Sequence, residues 1–389
     1  MNREDNLGRA APPGIKAIAR ALGVSIGTVD RALHDRPGIN PMTKAKVLKM
    51  AQTLGYQPNF AARHLKLNRK IRISAHLPRE IATFFDAVRE GIAEAAKPFQ
   101  STIEVQFRSY PRLGEGDLDL FAESLQDPTN GLIVTPGHPA ALKPWIRKAA
   151  RAHIPVVCVA TDAPGTERLA AISADAFTSG AMVAELLTGF GRRPSPVLII
   201  TGDLSVVDHA EKVSGFRSFL EQTNSRFTIA GVLEAHDDPA RARELTREFI
   251  AGHPETGAVY VSTANSIPVI EALDDAGRLG RTPVITTDLF PALAPLIRAG
   301  KVLGTVYQRP RAQGRMAFQA LHQFLVQGTC PPLRHRLPPH IVLRSNLDVF
   351  LEMLPADRDD AASEQGFWQA AAAETSPGTA KALTPAARS

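Results

Sequence analysis

The first 55 residues carry apolar positions at helical intervals throughout, and the rest of the chain alternates such stretches with short apolar runs. Ala17, Ile18, Ala21 and Leu22 recur as one face of a short helix, and Gly23 supplies the left-handed turn that lets a second helix cross the first. That second helix, over 26–33, is expected to bury Val29 and Leu33 and to leave Ile26, Gly27, Thr28 and Arg31 on its outer face. Ser25 stands where an N-cap is needed, its hydroxyl able to accept from the backbone N–H of Gly27 or Thr28. A third helix, from Pro41 to about Leu54, offers Val47, Leu48, Ala51 and Leu54 to a common core, and Gly55 ends it. Beyond residue 70 the pattern changes to short apolar runs at 71–77, 103–107, 131–135, 155–160, 197–201, 229–233, 258–262, 284–287 and 304–307. These read as strands, and helical periods such as 84–96, 144–152, 180–188, 210–222 and 238–251 lie between most of them. Alternating βα order predicts parallel, doubly wound α/β sheets behind a small all-α helix-turn-helix unit.

Charge separates the two parts. Residues 1–72 hold 14 Lys and Arg against 4 acids, a balance of +10, whereas the whole chain is only +6, so the remainder is slightly acidic. Three small helices without a basic face are an ordinary packing unit. With one, they match the footprint expected of a surface that meets a phosphate backbone.

The segment 57–70, QPNFAARHLKLNRK, is the second signal. Pro58 breaks the preceding helix, Asn59 is placed to cap a new one, and Ala61, Ala62 and Leu65 form a narrow apolar stripe among Arg63, Lys66, Arg69 and Lys70. So short a helix is marginal alone, and contact with DNA would supply what it lacks. A leucine on such an arm can wedge between base steps in the minor groove. The same residues read equally well as a charged linker.

The run IKAIARALGVSIGTVDRALH at 15–34, followed by LGYQPN at 54–59 and by Ala62, Arg63 and Leu65, resembles the headpiece and hinge of the lactose-repressor/galactose-repressor (LacI/GalR) family. The resemblance extends over residues 15 to about 354. It implies a type I periplasmic-binding-protein-like body of two lobes, between which the chain crosses several times. It places Ile26, Gly27 and Arg31 where the family reads the major groove, Ser25 and Thr28 where it holds phosphates, and Leu65 where it intercalates. Two positions depart from the family pattern: Asp30 puts a carboxylate where a small polar residue is usual, and Gly27 offers no side chain for base readout. The organisation expected is a flexible arm at 1–14, a headpiece at 15–57, a hinge helix at 58–70, a two-lobed effector and dimerisation domain at 71–354, and a disordered tail at 355–389 rich in Ala, Pro and Ser.

Candidate ligand contacts come from strand ends. Asp175 follows AAIS, Asn265 follows VSTA, Asp288 closes VITT and Gln308 follows GTVY. An Asp or Asn after a strand is more often a helix cap or turn former. The family resemblance instead implies that all four contact a small effector. Phe84 and Phe85 resemble an aromatic pair that stacks on pentose rings, or else they anchor their helix in the core. Phe177 is a further stacking candidate. Around residue 209 many relatives carry an arginine, but here Lys212 takes that place, with Asp208 and His209 a turn earlier. Lysine keeps the charge and loses the bidentate fork, so a different polyol, or a charged or cyclic sugar derivative, is expected.

Other classes fit less well. There is no GxxxxGK[ST] or HExxH motif, and Ser205, Asp208 and His209 are too close along one turn to form a triad. Neither catalysis nor a cofactor is expected. Cys158 and Cys330 show no metal-ligand spacing and no disulfide framework. An extracytoplasmic sugar-binding protein would share the body, yet it would carry a signal peptide and lack the basic headpiece. The polar start MNREDNLGRAAPPG has no such signal, and no run of about 18 apolar residues appears, so a cytoplasmic protein without membrane contact is expected. The resemblance implies a homodimer on a pseudo-palindromic double-stranded operator, with repression relieved by a sugar or polyol as the commoner family behaviour.

Overall fold

The computed structural model of the chain describes residues 15–33, 37–54, 70–190 and 194–353. The arm at 1–14, Gly55, the hinge residues Asn59, Ala62 and Leu65, and the tail at 355–389 lie outside the described residues.

Three helices form the amino-terminal unit: α1 (Ile15–Leu22), α2 (Ile26–Leu33) and α3 (Pro41–Thr53). Ser25 caps α2 by accepting the Thr28 N–H at 3.0 Å, and Asn40 Oδ1 accepts the Met42 N–H at 2.8 Å to start α3. The core consists of Ile18, Ala19, Val29, Ala32, Val47 and Ala51. It differs from the expected set at three places. Ala19 is buried and Ala21 is exposed; Ala32 is buried and Leu33 only partly; Leu48 is exposed. An alanine on each helix lets the helices cross closely, while the larger Leu22, Leu33 and Leu54 lap over the rim of the core.

The body has two six-stranded sheets. The first contains β1 (Ile71–Pro78), β2 (Ile103–Tyr110), β3 (Gly131–Val134), β4 (Val156–Val159), β5 (Ala170–Ala174) and β11 (Arg334–Leu337), in the order β11-β5-β4-β3-β1-β2. The second contains β6 (Pro196–Thr201), β7 (Thr228–Glu234), β8 (Ala258–Val261), β9 (Val284–Thr287), β10 (Gly304–Tyr307) and β12 (His340–Leu343), in the order β12-β10-β9-β8-β6-β7. Neighbouring strands are parallel except β12, which runs antiparallel to β10. Both sheets are covered on two faces, which is why strands such as β3, β4, β8 and β9 are apolar or small throughout. Cys158 is buried in β4 and Cys330 is exposed, and the two are not joined in a disulfide.

Around the first sheet pack α4 (Ala82–Ala96), α5 (Asp117–Ser124), α6 (Pro139–Arg151) and α12 (Pro310–Gln327). Around the second pack α7 (Ala176–Phe190), α8 (Val207–Gln222), α9 (Pro239–Gly252), α10 (Ser266–Asp275), α11 (Ala294–Arg298) and α13 (Leu347–Met353). The chain therefore changes lobe after β5, after β10 and between β11 and β12. No helix among the described residues is long and apolar enough to cross a membrane.

Each lobe brings two helices together through a reciprocal pair of glycines. A Cβ on Gly91 of α4 would sit 1.9 Å from the Arg311 carbonyl oxygen of α12, and one on Gly314 would sit 2.1 Å from that of Val88. In the second lobe, Gly180 of α7 and Gly215 of α8 stand in the same relation to the carbonyls of Lys212 and Phe177. Such crossings exclude any side chain at these four positions. They set the helix ends from which Phe84, Phe85, Asp208 and Lys212 project.

Candidate functional site

A cavity opens between the lobes at the carboxyl ends of both sheets, where doubly wound folds place their ligands. Ile81, Phe84, Phe85, Leu113, Thr135, Ala160 and Thr161 line it from the first lobe. Val206, Asp208, His209, Lys212, Asp237, Thr263, Ala264, Asp288 and Gln308 line it from the second. Four of these residues, Ile81 (φ 56), Ala160 (φ 70), Asp237 (φ 55) and Asp288 (φ 69), hold a left-handed backbone without being glycine. Each such residue costs on the order of 1 kcal/mol, and the cost is greatest in kind for β-branched Ile81. Strain of this sort concentrates where a fold aims side chains at a site.

The polar floor belongs to the second lobe. Lys212 is fully buried on α8, its Nζ 2.6 Å from Asp208 Oδ2 and donating to the Ser262 carbonyl at 3.2 Å. Asp288 follows β9, and the Gln308 amide nitrogen donates to its two oxygens at 3.2 and 3.0 Å. Gln308 is held in turn by the Gln313 side chain, which donates to its carbonyl at 2.7 Å. Burial pushes the Asp288 carboxyl up from 3.8 to about 7; Lys212 and the Gln308 bonds oppose the rise and Asp208 adds to it. His209 Nδ1 accepts the Asp203 N–H at 3.0 Å, which leaves Nε2 as the hydrogen-bearing nitrogen. Gly202 makes room for this ring, since a Cβ there would lie 2.1 Å from His209 Cε1.

Contacts across the cleft hold the lobes together over the cavity. The Asp208 N–H donates to Thr161 Oγ1 at 3.3 Å, and His138 Nδ1 lies 2.9 Å from Ser205 Oγ. One turn along α8, Glu211 receives Arg334 at 2.6 Å and Arg336 at 3.1 Å, both from β11 of the first lobe.

Of the nine residues nominated from sequence as effector contacts, six line this cavity: Phe84, Phe85, His209, Lys212, Asp288 and Gln308. The phenyl rings of Phe84 and Phe85 meet edge to face at 5.0 Å, and both are buried. The other three lie outside the lining. Asp175 caps α7, accepting the Thr178 N–H at 2.9 Å, and its second oxygen faces Arg336 at 3.5 Å. Its own helix satisfies it, the usual fate of an Asp after a strand. Phe177 lies on α7, 37% exposed, beside the glycine crossing. Asn265 stands behind the wall, its amide donating to the Asp237 carbonyl at 3.0 Å, while Thr263 and Ala264 reach the cavity instead.

Asp237 was not singled out in the sequence. The Asp237-Asp238 pair reads as one helix start, yet the two carboxylates divide the work. Asp238 caps α9 by accepting the N–H groups of Ala240 and Arg241, whereas Asp237 turns into the cavity and accepts Thr263 Oγ1 at 2.7 Å. A doubled acid after a strand is the signal that was available. Thr135 and Thr161, ordinary hydroxyls at strand ends, carried none.

In the amino-terminal unit, Ile26, Gly27 and Arg31 are exposed on one face of α2, with Thr28 half-buried beside them. Ser25 Oγ and Thr28 Oγ1 lie 2.9 Å apart at the start of that helix. The Arg31 guanidinium lies 3.8 Å from the point a Gly27 Cβ would occupy, so the arginine one turn on lies over the same stretch of the helix face.

The family model described as "Bacterial regulatory proteins, lacI family" matches residues 14–59 of this chain, and that described as "Periplasmic binding protein domain" matches 77–329, well over half of it. The chain is similar to the catabolite control protein A of Priestia megaterium, 22% identical over 262 residues that make up 67% of this chain and 77% of that protein. It is also similar to the ribose operon repressor of Bacillus subtilis, 23% identical over 321 residues, 77% of this chain and 93% of that one. Among solved structures, GanP, a glucose-galactose binding protein from Geobacillus stearothermophilus, shares the fold with a TM-score of 0.67, 23% identity, and coverage of 72% of this chain and 99% of its own.

Proposed function

Because the chain belongs to the periplasmic binding protein domain family over most of its length and is a lacI-family regulator at its amino-terminal end, we propose that it is a transcriptional repressor whose operator affinity is set by a small carbohydrate or polyol held between the lobes. The observation that carries this reading is the presence, in one chain, of an exposed α2 face bearing Ile26, Gly27 and Arg31 and a cleft lined from both lobes at their strand ends. The regulators and the sugar-binding protein to which the chain is similar support it. In this reading the chain acts by binding and not by catalysis, beside DNA in the cytoplasm.

Ile26, Gly27 and Arg31 meet base edges, Ser25 and Thr28 meet phosphates, and the hinge residues Asn59, Ala62 and Leu65 fold on the minor groove with Leu65 as the wedge. Two copies pair through their bodies, which matches a pseudo-palindromic operator. A ligand that prefers one angle between the lobes then shifts the DNA-competent population by its difference in affinity for the two states. Arginine and carboxylate contacts across the cleft, such as Glu211 with Arg334 and Arg336, are the groups through which that angle changes. Capture of fragmented genomic DNA by the purified chain at physiological salt tests the reading. Recovery of a few fragments sharing a pseudo-palindrome supports it, and uniform recovery overturns it.

A further inference from the structure

Resting on the effector site just proposed and narrowing it, we infer that the cavity selects an uncharged polyhydroxylated ligand and rejects the phosphorylated or carboxylated forms of the same compounds. The charges on the wall decide this. Three acids, Asp208, Asp237 and Asp288, face the cavity, against the ammonium of Lys212. Lys212 is already neutralised by Asp208 at 2.6 Å. No arginine is among the described lining residues. The arginine next to the lining residue Leu113, Arg112, is matched by Glu80 at 3.1 Å, Glu115 at 3.2 Å and Asp238 at 3.7 Å. A phosphate or carboxylate brought into the cleft would meet acids and, among the described lining residues, an ammonium already paired, in a buried site where like charges repel strongly.

Unused hydrogen-bonding capacity points the same way. Among the described lining residues, Asp208 Oδ1 from the second lobe and Thr135 Oγ1 from the first are buried without a partner. An ionised carboxylate oxygen only accepts, so the ligand atom facing Asp208 Oδ1 must donate. A ring hydroxyl does so, and it can also accept from Thr135; the oxygen of an ionised phosphate cannot donate. Ile81, Phe84, Phe85 and Leu113 form the apolar wall that a ring face covers. An ammonium fits less well than a hydroxyl, because Lys212 already occupies the cationic place beside Asp208.

Calorimetric titration of the full chain with matched compounds tests the inference: D-ribose against its 5-phosphate, D-glucose against its 6-phosphate, D-glucuronate and D-glucosamine, and myo-inositol against its 1-phosphate. The expected result is that the neutral member of at least one set binds at least ~10-fold more tightly than its anionic partners. Substituting Asp237→Asn should narrow that ratio. An anionic member that binds as tightly as its neutral partner overturns the inference and leaves the sensor reading in place, as does D-glucosamine binding more tightly than D-glucose. Absence of binding by every compound counts against both.

Discussion

Replacing Lys212 with Met removes one charge from a buried pair and keeps most of the side-chain volume. In the native cleft Lys212 Nζ holds Asp208 at 2.6 Å, and its charge also opposes the burial that raises Asp288. Breaking a buried pair by deleting one partner costs about 3–5 kcal/mol, since the remaining charge keeps its desolvation penalty. For a body of this size the melting temperature should fall by roughly 10 °C. The loss depends on pH in a calculable direction. Below about 7 Asp288 is protonated with or without Lys212, so its share of the penalty disappears, and the variant should lose less stability at pH 5 than at pH 8. Denaturant unfolding of wild type, Lys212→Met, Asp208→Asn and the double variant forms the assay. The double variant should sit within ~1 kcal/mol of wild type, because a buried pair replaced as a unit leaves no charge unpaired. A single variant that loses less than ~1 kcal/mol, or a double variant that loses the sum of the two singles, would refute the account of this floor.

Asp288→Asn should stabilise the ligand-free protein at pH 8 by up to ~4 kcal/mol, the equivalent of a carboxyl raised from 3.8 to about 7. Because a raised carboxyl costs stability as pH climbs from its unfolded value to its folded one, the gain should shrink toward pH 4; a gain independent of pH would show the carboxylate is not buried as described. The same variant should lose its ligand response while keeping operator affinity. Arg31→Ala should relax selectivity at one position of each half-site by about 1–3 kcal/mol in competition between operator variants, whereas an equal loss on all sequences would assign Arg31 to phosphate. Leu65→Ala should weaken binding to operator far more than binding to random duplex, and equal losses would remove the wedge role.

The architecture was legible from periodicity because most strands are buried on both faces and read as unbroken apolar runs. The exceptions have physical causes. Strand β11, RHRL, lies at a sheet edge and spends its arginines on Glu211, Asp162 and Asp175 across or beside the cleft, so it looks like a loop in the sequence. In the amino-terminal unit the helical period and most of the buried face were right, with Ile18, Val29, Val47 and Ala51 in the core, but Ala19 and Ala32 were missed because alanines at the crossings look no different from exposed ones in a sequence. Strand ends pointed to the cavity for Asp288 and Gln308. The same rule misplaced Asp175, which caps its own helix, and passed over Asp237, whose neighbour Asp238 takes the cap in its stead. Which of two adjacent carboxylates caps and which faces a ligand goes with two consecutive left-handed residues, His236 and Asp237, and backbone sign is not written in composition.

The measurement that bears most directly on the whole account is operator affinity at one fixed salt concentration, by fluorescence anisotropy, with and without a neutral sugar or polyol shown to bind the body. Repression through the lobe angle predicts an affinity for the captured operator at least ~10-fold lower at saturating ligand, an unchanged weak affinity for random duplex, and no ligand effect in Asp288→Asn. Operator affinity that stays the same while the ligand demonstrably fills the cleft would contradict it.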